Sequence, residues 1–489
     1  NGSGTTNTML NQIPNQTNIT GNSSEGSSGL IGSFVRIQYI YNDRYLLTGT
    51  VRRDGSSKFG PNNQYGVFPT AAAAWNISKE EFFKVSWINE LKLRIGYGLT
   101  GNQNIADFGF LTKAGSSPYA FGNTAVLGNG ISNAGQPNLQ WEAAKQLDAG
   151  FDIVVLNGRI NSTIDYYKKT SSKLLVSIPV PLTTGVGTNN PVVNLGSVLN
   201  EGFEFAINTQ NLIGKFNWTT SFNISTNKNK VLDIGANAAG VPAVINGTLL
   251  GSPVNDFINQ TQAGQPIGAF YMYRYLGVWQ LDEAGEAAAT KYNNLPFTPG
   301  DARYADLNGD HVIDAQDKQF VGSPQPTYYG GMNNTFSYAD FSLGVLMSFS
   351  GGNKIYNVIR NLDARGVPFN QQLAEVANWW TPSNPSNIPK PAQGGNTTTF
   401  TGRVSDRFLE DGSYLRLSNV SLSYNIPVVK TSRLQEVRFT LAANNLFTLT
   451  KYKGMDPASA SAGDQISGGL DLTPYPVTRY YYISIAIGF

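Results

Sequence analysis

The chain has 489 residues, only 14% of them charged, and a formal net charge of +2. Soluble domains carry about 25% charged residues, so this surface need not face water everywhere. No apolar run approaches the roughly 20 residues of a membrane-spanning helix, and no basic run points to nucleic acid. Composition therefore excludes a helical membrane protein. It leaves a β-barrel open, because polar lumen residues lower the mean hydropathy of such a chain, here to -0.22.

The first part of the chain opens with a polar stretch and then alternates between apolar and polar residues, as half-buried strands do. Residues 1–33 are predicted to form a polar extracellular loop, and residues 34–489 part of a barrel. Between the first two alternating segments, Asn42-Asp43 predicts a two-residue hairpin turn. The first four predicted strands cover 34–41, 44–53, 65–76 and 91–100.

The fourth of these segments carries charge on one face only. Lys92 and Arg94 lie opposite a row of leucine, isoleucine and tyrosine side chains. Two cations are costly in a dry core and ordinary in a wet lumen. The segment therefore favours a barrel wall over a buried strand.

The rest of the chain continues as hairpins separated by long polar stretches. Asn157-Gly158 is the strongest short hairpin signal in the sequence. Large loops are predicted at 101–140, 227–326 and 350–413. The remaining strands, which bring the total to about 13, cover 141–156, 159–168, 201–211, 216–226, 327–337, 341–349, 414–424, 436–446 and 479–489.

The last strand, 479–489, alternates an apolar row with a small or polar row and ends on Phe489. An aromatic carboxy-terminus on such a strand is typical of bacterial outer-membrane barrels, where it serves as an assembly signal. An edge strand of a soluble sandwich shows the same alternation. Loop lengths decide between the two: with a periplasmic carboxy-terminus, one side receives connections of about 2 to 14 residues and the other about 11 to 100. Outer-membrane barrels have this asymmetry.

Several ordered stretches resemble the SusC/RagA family of TonB-dependent outer-membrane transporters. They extend over nearly the whole chain, and their order makes the resemblance specific. They read RDGSSKF at 53–59, LKLRIGYGLTGN at 91–102, PNLQWE at 137–142, DYYKK at 165–169, EGFE at 201–204, DGSYLRLSNV at 411–420, NNLF at 444–447 and YKGMDP at 452–457.

The resemblance implies an all-β, transmembrane antiparallel barrel of about 22 strands when complete, with a plugged lumen. It implies active import of oligomeric nutrients, glycan or peptide, across the Gram-negative outer membrane. The implied partners are a SusD-like surface lipoprotein, the TonB complex, outer-membrane lipid and a homodimer of the SusC/SusD pair; nucleic acid is not among them. The plug and the TonB-contacting segment are expected to lie outside this sequence. The alternative is a passive porin or a structural barrel component.

One loop carries the spacing of a calcium site. Oxygen-bearing side chains stand at positions 1, 3, 5, 9 and 12 of a stretch similar to an EF-hand or dockerin loop, with a main-chain carbonyl at position 7. His311 replaces the usual glycine at position 6, and an aspartate replaces the usual glutamate at position 12. The other interpretation is an Asp-rich turn that satisfies its own backbone. The predicted Ca²⁺ ligands are Asp306, Asn308, Asp310, Val312, Asp314 and Asp317.

Aromatic residues in the long loops are candidates for binding substrate. They could stack on sugar rings or peptide side chains, or they could pack the loops and contact the SusD-like lipoprotein. The candidates are Trp279, Tyr356, Trp379 and Trp380. No enzymatic activity is predicted. His311 is the only histidine, so no zinc cluster or triad with a second histidine can be built, and no carboxylate pair has a distinctive spacing.

Overall fold

The wall of the fold is one continuous antiparallel sheet in which thirteen strands follow one another in chain order. The computed structural model describes residues 27–122, 124–177, 191–236, 241–250, 256–363, 373–391, 403–427, 434–458, 466–472 and 474–489. The strands are β1 Leu30–Tyr41, β2 Tyr45–Ser56, β3 Tyr65–Asn76, β4 Ile88–Asn102, β5 Glu142–Val155, β6 Ile160–Ser172, β7 Ser197–Leu212, β8 Phe216–Thr226, β9 Tyr328–Tyr338, β10 Phe341–Gly351, β11 Tyr414–Ile426, β12 Glu436–Thr450 and β13 Tyr480–Gly488.

The thirteen predicted strands are confirmed, and most run one to four residues beyond their predicted bounds. β1 begins at Leu30 rather than at 34, so the end of the predicted polar loop 1–33 belongs to a strand. Residues 1–26 of that predicted loop lie outside the described residues. β12 continues past a backbone irregularity at Asn445, which has a φ of 54°. Alternation is a weak guide at such ends because strands leave the membrane band there and no longer need an apolar side.

The turn prediction at Asn157-Gly158 was right in place and wrong in length. The β5–β6 ladder closes at the pair Val155 and Ile160, so the connection holds four residues, 156–159. The φ values of Asn157 and Gly158 are 58° and 83°. Asn89 accepts hydrogen bonds from both of their N–H groups, at 2.7 and 3.3 Å. The connection at 42–44 likewise has three residues rather than two.

The sheet has two chemically different faces, which we call the apolar face and the polar face. Residues directly opposite in an antiparallel pair share a face. On the apolar face, Phe439 lies opposite Ile485 on one side and Tyr424 on the other. On the polar face, Thr440 lies opposite Ser484 and Ser423. Facing an apolar row to lipid and a polar row to a lumen is the barrel pattern.

At the end of the wall that we call the short-turn end, the six connections between neighbouring wall strands hold 2 to 11 residues, whereas the long-loop end carries folded loops. The predicted loop 101–140 contains a hairpin, Lys113–Phe121 with Thr124–Asn133. The predicted loops 227–326 and 350–413 also contain regular structure. The main elements of these loops are the strands Ile245–Asn246, Asn259–Thr261, Ala269–Tyr273 and Lys318–Gly322 of one sheet, the pair Tyr275–Val278 and Ala302–Tyr304, the strands Lys354–Asn357 and Leu409–Asp411, and the helices Ala284–Ala289 and Val358–Asp363. The β12–β13 connection adds the strand Leu470–Asp471.

These two loops and the β12–β13 connection pack into what we call the loop domain. Lys354–Asn357 pairs with Leu409–Asp411 and with Leu470–Asp471, so a single short strand ties two loops together. Phe270 and Phe408 are fully buried in its main core. Among the described residues, no helix is long and apolar enough to cross a membrane.

Candidate functional site

The polar face of β4–β6 carries a four-residue ion cluster. Asp152 accepts from Lys92 at 3.0 Å and from Arg94 at 2.8 Å, and Arg94 also reaches Asp165 at 2.9 Å. The cations predicted to face a wet lumen therefore do lie on the polar face, where neighbouring strands supply their counter-charges. The cluster joins three strands and leaves little net charge.

Removing the central cation should destabilise this part of the wall. In Arg94→Met, Asp165 loses its ion-pair partner and lies unshielded beside Asp152, so we expect a loss of about 1–3 kcal/mol in the free energy of unfolding. Lys92→Met is the matched control and should cost under about 1 kcal/mol, because Asp152 keeps Arg94. Urea unfolding of the bilayer-embedded protein measures both. Recovery in the double variant Arg94→Met/Asp165→Asn would verify the cause, and equal costs for the two single variants would contradict it.

A groove of about 710 Å³ runs along the polar face of β7–β10. Asn208, Ser221, Asn333 and Ser348 line it. Asn223 is held in place because its Oδ1 accepts a hydrogen bond from the Gly331 N–H at 2.7 Å. We call this the neutral groove. Sequence reasoning found the polar row on β8 but missed the groove, because the rows of four strands become one surface only once their register is known.

Three of the four aromatic residues predicted to bind substrate are buried. Trp279 is 3% exposed and packs with Phe297, with ring centroids 6.4 Å apart, while the Arg303 guanidinium lies 4.3 Å from its ring centroid. Tyr356 is fully buried in the main core of the loop domain. A ring enclosed on both faces has no surface to offer a sugar or a peptide. The prediction that Trp279 and Tyr356 stack on substrate is therefore corrected to a packing role.

The adjacent residues Trp379 and Trp380 have different environments. Trp380 is 7% exposed, and its indole Nε1 donates to Gln280 Oε1 at 2.8 Å, so it too is corrected to a packing residue. Trp379 is 40% exposed and remains available for contact. Substrate binding by Trp379 stays a prediction.

The predicted calcium loop forms a turn whose carboxylates accept main-chain hydrogen bonds. Asp306 accepts from the N–H groups of Gly309 and His311 at 2.7 and 2.9 Å. Asp317 is fully buried and accepts from Leu307 and Asp314, both at 2.8 Å. His311 has a φ of 62°, which explains why glycine is usual at this position. Asn308, Asp310 and Asp314 make similar local bonds, and Val312 donates its N–H to Asp310.

Within the described ranges, no three histidine, aspartate or glutamate side chains converge closely enough to hold a metal ion. Calcium binding at 306–317 therefore stays a prediction, one that requires these carboxylates to turn toward a common centre. If calcium binds, loop-domain unfolding should move to higher temperature with Ca²⁺ than with a chelator. Asp310→Asn should remove this shift, since it keeps the hydrogen-bond acceptor for Val312 but removes the charge. A calcium-independent transition in the unmodified protein would support the self-satisfied turn instead.

Three tyrosines in the loop domain have raised pKa values. Burial raises the pKa of Tyr275 to about 12, and it raises those of Tyr273 and Tyr304 as well. Their rings pack together, with centroids 5.6 Å apart for Tyr273 and Tyr304. A tyrosine in the unfolded chain ionises near pH 10, whereas these three stay protonated to higher pH in the folded state. The stability that they contribute is therefore fully present below pH 10 and is lost as the pH rises above it.

Because the folded state resists ionisation, the free energy of unfolding of the loop domain should fall as pH rises from about 10 to about 12. Tyr275→Phe should reduce this pH dependence, although it also loses the hydrogen bond from the hydroxyl to the Asn387 carbonyl at 2.7 Å. Chemical denaturation followed between pH 8 and pH 12 measures the slope. An unchanged slope in Tyr275→Phe would show that this residue contributes nothing to it.

A second cavity, of about 510 Å³, opens in the loop domain beside Arg360. Arg360 pairs with Glu375 at 2.8 Å and with Glu410 at 3.3 Å. Asp471 and Met455 also line the cavity. Arginine fixed by two carboxylates presents a rigid polar wall, so this cavity is a candidate contact for material entering from the long-loop end. No sequence motif marks it, since its residues come from two separate loops, 350–413 and the β12–β13 connection.

An antiparallel wall with one apolar and one polar face, and with long folded loops at one end, is the pattern of an outer-membrane β-barrel. The family model described as "TonB dependent receptor-like, beta-barrel" matches residues 1–446. The chain belongs to this family, which places it in the outer membrane of a Gram-negative bacterium. The apolar face is therefore the lipid side and the polar face the lumen side.

Relatives and solved structures agree on the fold. TonB-dependent receptor P3 of Formosa agariphila is 35% identical over 473 residues, covering 94% of this chain and 45% of the relative. TonB-dependent receptor SusC of Bacteroides thetaiotaomicron is 30% identical over 475 residues, covering 94% and 44%. The RagAB peptide transporter matches with a TM-score of 0.76 and 24% identity, covering 94% of this chain and 47% of that one. The chain spans about half the length of the curated relatives it matches.

Proposed function

We propose that this chain supplies barrel wall and outer loops to a TonB-dependent importer of oligomeric nutrients. The observation that carries the proposal is the combination of a polar, groove-bearing lumen face with a large folded loop domain at one end. Two similarities support the proposal: the relative SusC is named a TonB-dependent receptor, and the RagAB structure, which shares the fold, is named a peptide transporter. On this proposal the short-turn end faces the periplasm, the loop domain faces outward, and Phe489, at the end of β13, serves as the assembly signal.

The test compares uptake in cells with and without TonB. Cells that express the full-length protein should take up oligomeric nutrient only when TonB is present, and deletion of the gene should abolish that uptake. Uptake that continues without TonB would contradict active import. Conductance of the intact protein in a planar bilayer distinguishes active import from the porin alternative. A plugged transporter should pass almost no ionic current, whereas a porin should conduct.

We also propose a SusD-like lipoprotein as a lid over the loop domain, with a homodimer of the two-protein unit as the larger assembly. Three exposed leucines on its surface, Leu281, Leu295 and Leu307, are 56%, 51% and 49% exposed and offer apolar contact. Replacing Leu295 with glutamate should weaken co-purification of the lid, while Leu156→Glu at the short-turn end should not. Equal co-purification with both variants would remove these leucines from the interface.

Transport without catalysis is part of the same proposal. The single histidine, His311, lies in the turn at 306–317, where its backbone N–H donates to Asp306. This contact belongs to the turn and not to a reactive centre. Hydrolysis products in the medium of cells lacking every other surface hydrolase would contradict this view.

A further inference from the structure

We propose that the lumen is built to pass an uncharged, hydroxyl-rich oligomer, that is, a neutral oligosaccharide, along the neutral groove. This inference rests on the proposed import function and names its substrate class. It comes from the distribution of charge over the polar face of the wall.

The polar faces of three successive strands carry no charged side chain. Cross-strand register assigns these positions to one face, from the short-turn end up to the long-loop end. Asparagine, serine and threonine dominate, with tyrosine at the long-loop end. The positions are Asn217, Thr219, Ser221, Asn223 and Ser225 on β8; Tyr329, Gly331, Asn333, Thr335 and Ser337 on β9; and Ser342, Gly344, Leu346, Ser348 and Ser350 on β10.

Charges on the polar face lie outside this stretch, and most are paired. Besides the Arg94 cluster, Arg52 pairs with Asp54 at 2.7 Å and Arg438 with Glu436 at 2.6 Å. Arg416 pairs with Asp456. The polar-face charges that make no ion pair in the described residues include both signs and lie on β1 and β5–β7: Arg36, Lys169, Glu142, Asp148 and Glu204.

The chemistry of the neutral groove suits sugars better than ions. Amide and hydroxyl side chains both donate and accept hydrogen bonds, as sugar hydroxyls do, so the two surfaces can exchange partners along a path. A uronate, a sulfate or a charged peptide would lose hydration there without meeting a counter-charge, which is unfavourable. At the long-loop end of the groove, Tyr329 is 46% exposed and offers an apolar ring face for a sugar.

The substrate test uses the full-length transporter in its own outer membrane. Cells with and without TonB receive three mixtures of equal mean mass: neutral oligosaccharides of varied linkage, acidic oligosaccharides, and peptides. Mass spectrometry follows depletion of each mixture. TonB-dependent depletion of neutral oligosaccharides, at least about tenfold faster than of the other two, is the expected result. Depletion of the acidic oligosaccharides or the peptides instead would overturn the substrate class but leave import standing, whereas depletion of none would overturn import itself.

Charge insertion tests the groove itself. Asn333→Asp and Asn333→Lys place opposite charges in the neutral groove. Both should slow uptake of neutral oligosaccharide several-fold. Uptake of acidic oligosaccharide should be about tenfold faster in the lysine variant than in the aspartate variant. The control pair Ala263→Asp and Ala263→Lys places the same charges at an exposed turn of the loop domain and should leave uptake unchanged. If the Asn333 variants behave like the Ala263 variants, with equal amounts of folded protein, the groove is not the path.

Discussion

Replacing Val345 with arginine should destabilise the barrel by about 2–4 kcal/mol, because an arginine on the lipid side of a barrel strand must lose its hydration. Val345 lies on the apolar face, opposite Val420 of the neighbouring strand. The next residue, Leu346, lies on the polar face and is 40% exposed. Leu346→Arg is therefore the matched control, since it places the same side chain one position along on the lumen side, where water can solvate it.

The measurement is urea unfolding of the purified full-length protein in lipid bilayers, supported by the folded fraction recovered from outer membranes. Val345→Arg should lower both, and Leu346→Arg should leave stability within about 1 kcal/mol of the unmodified protein. A larger loss for Leu346→Arg would mean that the two faces have been assigned in reverse. The result thus tests the lumen assignment on which the neutral groove depends.

Wall strands could be predicted from sequence because each one repeats a single physical demand, an apolar side chain toward lipid at every second residue. β8 shows this best: Phe216–Thr226 was predicted with its observed bounds. The position of the Asn157-Gly158 turn could be predicted from sequence, but the number of residues in the turn could not. That number depends on where the two strands stop pairing. The neutral groove needs the relative register of neighbouring strands, which no single segment encodes.

The loop domain escaped prediction for a different reason. Its strands are mostly two to five residues long, so they carry too few alternations to stand out from loop sequence. Its core draws on residues far apart in the chain, such as Ile258, Tyr356 and Leu470. A tryptophan in such a sequence looks the same whether it is exposed for ligand or buried by a distant loop. That ambiguity is why Trp279, Tyr356 and Trp380 were predicted as binding residues.

Trp380 joins two loops of the loop domain. Its indole Nε1 donates to Gln280 Oε1, and its backbone N–H donates to the Ile388 carbonyl at 2.8 Å. Gly300 passes directly under the indole, where an added Cβ would lie 2.5 Å from a ring carbon. The indole therefore fills a space that the 227–326 loop closes on one side and the 350–413 loop on the other.

Trp380→Ala should open this junction at a cost of about 3–5 kcal/mol, the usual range for removing a buried aromatic side chain. Amide hydrogen exchange around 279–300 and 380–390 should accelerate by about 100-fold or more, since each 1.4 kcal/mol corresponds to a factor of ten. Trp379→Ala is the control: its ring is 40% exposed, so exchange should change little. Loss of uptake in Trp379→Ala with unchanged exchange would assign that residue to substrate contact. Equal exchange in both variants would contradict the packing role of Trp380, because only a buried indole can couple the two loops.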